Sequence, residues 1–237
     1  MALPFHTTRW SLVARAGDFA GGGADSPARA ALDELVRAYW PALFAFARSR
    51  GETSEEAADL VQGFFARAVE KGGLVPRERR ARFRSFLLAA FQHFAANEAE
   101  RAAAVKRGGG ERGLALDELA REDELVSSGD EPARAFERRY ARRVLERAFT
   151  LLREEQAAVG QAARLARLEP HLVGEDGAVP YAELALELGT SAGALKVAVH
   201  RLRRRFGELL RAEVAGTLTD PGEVDAELGE LMAALAR

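Results

Sequence analysis

Apolar positions recur along most of this chain at helical spacing, and almost nowhere with a period of two. Ala31, Leu35, Ala38, Tyr39, Ala42, Leu43 and Phe46 fall on one stripe, with Pro41 interrupting it. Proline lacks the N–H that a helix interior uses, so a kink or a helix boundary is expected at Pro41. Pro27 suits the first turn of that helix. Gly51 closes the segment, and Thr53 or Ser54 can cap the next helix, with Glu55 and Glu56 in its favourable first turn. There Ala57, Leu60, Val61, Phe64, Phe65, Ala68 and Val69 match the i, i+3, i+4, i+7 template, while Asp59, Gln62, Arg67 and Glu70 face elsewhere. A third helix carries Phe83, Phe86, Leu87, Phe91 and Phe94. Their spacing follows a buried stripe and assigns these rings to a core rather than to exposed stacking platforms.

The pattern changes after the glycines at 108–110. Eight acids between Glu111 and Glu131 face two bases, Arg112 and Arg121, and Gly129 and Pro132 add breaks. This stretch reads as an acidic linker with a short helix at Leu114 to Leu119. Helical text resumes as Phe136–Leu152 and then Glu154–Leu172. The carboxylates Glu154 and Glu155 suit the N-terminal end of that second helix better than acid–base chemistry. The expected architecture is all-α: two small helical domains, 27–107 and 133–215, joined by an acidic linker at 108–132. An N-terminal extension (1–26) and an acidic C-terminal helix or tail (216–237) flank them. In the tail, Val224, Leu228, Leu231 and Leu235 form one more stripe.

The most specific stretch is PYAELALELGTSAGALKVAVHRLRRR, 180–205. Tyr181, Leu184, Ala185 and Leu188 make a short helix that stops at Gly189. Thr190 or Ser191 can cap a second helix, in which Leu195, Val199 and Leu202 face the core. Ala185 is small where two helices cross closely. Lys196, His200, Arg201, Arg203, Arg204 and Arg205 are left for other faces. An apolar back with a cationic front is what a DNA major groove accepts, so the stretch reads as a DNA-binding helix-turn-helix.

Composition narrows the alternatives. Among 237 residues, 48% are hydrophobic and formal net charge is −2, so any nucleic-acid binding must come from local charge separation. Arg77, Arg79, Arg80, Arg82 and Arg84, against Glu78 alone, make one such basic edge, able to attract phosphate. With no cysteine there are no disulfides, thiolate nucleophiles or cysteine-ligated zinc. The opening MALPFHTTRWSLVARAGD lacks the apolar core of a signal peptide, and no stretch approaches membrane-spanning length, so a cytoplasmic protein without membrane partners is expected. The four histidines lack ligand spacing and no phosphate-loop glycine pattern occurs, so neither metal, cofactor nor enzymatic activity is expected.

Two helical domains with basic surfaces bring a resemblance into view. AADLVQGFFARAVE (57–70) and RFRSFLLAAFQHFAANEAER (82–101) resemble region two of bacterial sigma factors. PYAELALELGTSAGALKVAVHRLRRRFGELL (180–210) resembles region four. Their order, with no other sigma regions, is similar to the compact extracytoplasmic-function group. The resemblance implies a sigma factor that binds core RNA polymerase and recognises promoter DNA at two elements. It implies polymerase contacts from Asp59, Gln62 and Arg67, and contacts to the start-proximal (−10) element from Asn97, Arg101, Lys106 and Arg107. For the upstream (−35) element it implies Lys196, His200, Arg201 and Arg204, with Arg203 and Arg205 on the backbone. An anti-sigma factor or other regulator is a further partner in such families. Departures from the pattern are Val197 for a common serine, Ala198 and Ala89 for arginines, and His93 for an asparagine. They imply an altered promoter preference. They also leave room for a sigma-like regulator without initiation activity, beside a helix-turn-helix regulator of another kind. The tail acids, on charge alone, are expected either to fold back over the basic recognition helix or to pack by Leu228, Leu231 and Leu235.

Overall fold

A computed structural model describes residues 27–70, 82–106, 131–174, 179–218 and 220–236. Every regular element among them is helical: α1 (Pro27–Ser49), α2 (Ser54–Glu70), α3 (Phe83–Lys106), α4 (Glu131–Ala158), α5 (Ala162–Val173), α6 (Tyr181–Glu187), α7 (Ala192–Ala215), a 3-10 turn (Pro221–Glu223) and α8 (Val224–Ala236). The linker residues 107–130, with the short helix expected at Leu114 to Leu119, lie outside the described residues. The described residues divide into two compact units, one running to Arg143 and resuming at Ala215, the other Val144–Val214. The first part of α4 therefore goes with the N-terminal helices, and so does α8.

The first unit is held by aromatic side chains. Tyr39 stacks on Tyr140 at 5.3 Å between centroids and meets the edge of Phe83 at the same distance. Phe64 packs edge-on against Phe91 at 5.2 Å. Edge-to-face and offset contacts of this kind add to the apolar burial they accompany. Phe83, Leu87, Phe91 and Phe94 are buried, as their spacing requires. Thr53 and Glu56 close a reciprocal capping box: the Glu56 amide donates to Thr53 Oγ1 at 3.2 Å, and the Thr53 amide donates to the Glu56 carboxylate at 2.8 Å. Of the kink or boundary expected at Pro41, the boundary does not occur: α1 runs through it. Ala31, Leu35, Tyr39, Ala42, Leu43 and Phe46 are all buried on that helix, and this burial offsets the one hydrogen bond that proline forfeits.

A second correction concerns the basic edge. Arg82 and Arg84 are not open to phosphate. The Arg84 side chain is 6% exposed and donates through Nε to Glu227 at 2.5 Å and through Nη2 to Glu230 at 2.8 Å, and it also pairs with Glu137. Arg82 Nε lies 3.1 Å from Glu227, whose own side chain is 1% exposed. Partial burial works against the Arg82 charge, but Glu230, Glu227 and Glu223 outweigh it and hold the guanidinium above its ordinary range. The tail thus commits Glu227 and Glu230 to arginines of the first unit, with Leu231 buried. Carboxylates arriving at the start of α3 also suit its positive dipole end, where arginine alone would be unfavourable.

In the second unit, α4 and α5 meet at Gly160, in the left-handed conformation at φ 71°. The break falls later than the pattern around Arg153 suggests. Glu154 and Glu155 therefore lie in the closing turns of α4, and dipole stabilisation at a helix start does not explain them. Glu155 has a specific partner instead, described below. Leu152, Leu165 and Leu209 form one buried cluster of this unit, and Leu168, Leu184, Ala185, Leu195 and Val199 another.

Candidate nucleic-acid interface

The helix-turn-helix is built by α6, a turn at Leu188–Ser191, and α7. Leu184 and Ala185 of α6 pack with Leu195 and Val199 of α7 over Leu168 of α5. Gly189 takes φ 62° in the turn. A Cβ there would meet nothing within 4 Å, so the demand for glycine is one of backbone conformation alone. Gly189→Ala is expected to destabilise the second unit by about 1 kcal/mol, the cost of placing an L-residue in the left-handed region. Urea unfolding of the full chain checks it, and unchanged stability would refute it. Of the two candidate caps, Ser191 is the one used: its Oγ accepts from the Ala194 amide at 3.1 Å.

The six candidate side chains on α7 (Lys196, His200, Arg201, Arg203, Arg204 and Arg205) are all exposed, but they are not equivalent. Arg203 donates to the His171 carbonyl at 2.6 Å, tying α7 to the end of α5. Arg205 grips Glu155 with two bonds, at 2.9 and 2.6 Å, and reaches Glu208 at 2.8 Å. Arg204 lies 3.6 Å from Glu208. Lys196 Nζ stands 5.9 Å from the centre of the Tyr181 ring, which itself stacks on His171 at 4.2 Å. That contact leaves the ammonium donors available. His200 and Arg201 have no side-chain partner among the described residues. The geometry therefore separates a tethered group (Arg203, Arg205) from an available group (Lys196, His200, Arg201). The loosely paired Arg204 stands between them.

The Arg205 pair predicts a pH response. Its hydrogen bonds hold the Glu155 carboxyl below the usual 4.5. A lowered folded value means the pair adds stability above the unfolded pKa and loses it as pH falls through the folded one. Glu155→Gln is expected to be less stable than the parent chain at pH 7, by a modest margin because the pair is part-exposed. Thermal melts across pH should show the gap closing below 4.5. A gap that persists in acid would exclude this origin.

An open cavity of about 640 Å³ runs beside α7. Gly193, Ala194, Val197, Ala198, Arg201, Leu202 and Arg205 form its α7 side, and Gln156, Gln161 and Arg164 stand on the opposite wall. Among its lining residues none is acidic. Arg164 and the two glutamines were not legible as site residues, since they lie in or before α5, and α6 separates them in sequence from α7. Arg164 could have been flagged only as a cation beside the buried Leu165.

In the first unit, Asp59 and Gln62 lie one turn apart on the exposed side of α2. Arg67, further along, is half-buried and 3.9 Å from Glu70. Asn97 and Arg101 are half-buried on α3, and Arg101 pairs with Glu98 at 2.7 Å. The side chain of Lys106 and all of Arg107 lie outside the described residues. Among the described residues no cluster of His, Asp or Glu could hold a metal ion, and no helix is long and apolar enough to cross a membrane. Comparison with protein-family models, with curated proteins and with solved structures returns no match to this chain.

Proposed function

We propose that this chain is a promoter-recognition factor of the extracytoplasmic-function sigma type. In this reading the first unit engages core RNA polymerase and the opened strand, and the second engages duplex upstream. The observation that carries the reading is α7. Its apolar residues Leu195 and Val199 are buried against α5 and α6, while Lys196, His200 and Arg201 are exposed without carboxylate partners among the described residues. A rigid helix with available cations on one side is suited to the major groove. The exposed Asp59 and Gln62 on α2 supply polar groups able to set the orientation of a protein partner.

A second reading is a sigma-like regulator that does not initiate transcription. It is favoured by Arg82 and Arg84, whose charges are spent on Glu137, Glu227 and Glu230, and by the alanines at 89 and 198. Mixing the purified chain with core polymerase, followed by transcription on a genomic template pool, separates the readings. Capture with promoter-specific transcripts is the expected result. Capture without transcripts favours the sigma-like regulator. DNA binding without capture favours a helix-turn-helix operator binder and overturns the proposal.

A further inference from the structure

Val197 is 51% exposed on the outward side of α7 and carries no polar atom. Its neighbours one turn away are Gly193 and Arg201, so α7 presents an i, i+4, i+8 ridge of no side chain, two methyl groups and a guanidinium. All three border the open cavity. A Cβ at Gly193 would touch only Ser191 Oγ, at 3.9 Å. No internal clash demands glycine there, and its bare backbone lets a ligand approach the helix closely.

The exposed apolar area of this ridge is small. Leu165 and Leu168 behind it are 3% and 1% exposed and offer almost nothing to a partner. The polar rim, Gln156, Gln161, Arg164 and Arg201, repels no anion. An apolar anchor of a protein partner would find little apolar surface to bury against in this open cavity, whereas a single methyl group on an anionic ligand is well matched. In a DNA major groove the thymine 5-methyl is the one apolar feature of the base edges, and arginine pairs bidentately with guanine O6 and N7. Duplex RNA is disfavoured, because its major groove is too deep and narrow for side chains to read.

Resting on the promoter reading above, we propose that Val197 is a specificity-determining residue that packs on a thymine 5-methyl group, with Arg201 reading a guanine nearby. Four residues of helix rise about 6 Å, so the two bases fall within roughly two base-pair steps of 3.4 Å. Gln161 and Arg164 on the opposite wall are placed to receive phosphate.

The test uses the full chain and a randomised duplex pool. Each thymine of the enriched site is then replaced singly by deoxyuridine, which lacks only the methyl. One position should lose roughly four-fold in affinity, the worth of one buried methyl-sized group. Val197→Ser should bind the thymine and deoxyuridine duplexes equally, while keeping its helical circular dichroism and its binding to unrelated DNA. An enriched site with no methyl-sensitive thymine, or discrimination retained in Val197→Ser, overturns the inference alone. Failure to enrich any duplex overturns the promoter reading itself.

Discussion

Replacing Glu227 with alanine is expected to destabilise the first helical unit by about 3 kcal/mol, the lower end of the range for breaking a buried ion pair. The reason is what remains. Arg84, with a side chain 6% exposed, would keep its charge in a site from which water is largely excluded. Glu230 and Glu137 still reach it, which keeps the loss from the top of that range. Thermal unfolding should register the change as a fall of roughly 10 °C. Arg84→Ala should cost less, because Arg82 still reaches the Glu227 carboxylate. The double variant should then lose much less than the sum, because the two residues act as one unit. Additive losses would show that the pair is not coupled. Since Glu227 belongs to α8, the same experiment asks whether the C-terminal helix is a structural part of the N-terminal unit.

Arg201→Ala is expected to weaken binding to the enriched upstream duplex by about 1–3 kcal/mol, with the fold unaffected. The side chain has no partner among the described residues, so its removal breaks nothing inside the protein. Arg205→Ala should behave differently. Its guanidinium is already committed to Glu155 and Glu208, so the variant should lose stability while largely retaining sequence preference. Fluorescence anisotropy on the enriched and an unrelated duplex, run beside urea melts, resolves the two. Equal loss from Arg201→Ala on both duplexes would assign it to phosphate. Loss of preference from Arg205→Ala would mean the pair with Glu155 opens on binding.

How far the residues alone reach differs between the two units. In the second, turn chemistry and periodicity are local, and they agree. Gly189, the Ser191 cap and the buried Leu195 and Val199 all stand where the text places them. Local signals also offer Thr53 as a cap, beside Ser54, but the reciprocal bond from Glu56 emerges only in the folded helix. They place no helix end correctly at Pro41, where a buried stripe on both sides carries the helix past one missing hydrogen bond, nor at the α4–α5 boundary, where Gly160 and not the run near Arg153 breaks the helix.

Charge was the least legible property. A run of arginines reads alike whether it is solvated, paired or free, since carboxylate partners come from distant sequence. Arg84 meets Glu227 across 143 positions and Arg205 meets Glu155 across 50. No spacing rule connects such pairs, so the basic edge at Arg82 and Arg84 and the uniform cationic front of α7 both looked more available than they are.

Helical character, the placing of the helix-turn-helix and the identity of most core side chains follow from the chain's own text. The reason is that helical periodicity and caps act within a few residues. Which arginines are left free to meet a ligand, and that the acidic last helix belongs with the first unit, was decided only by the packing. Electrostatic partners and apolar burial between remote segments depend on distances that exist only once the chain has folded.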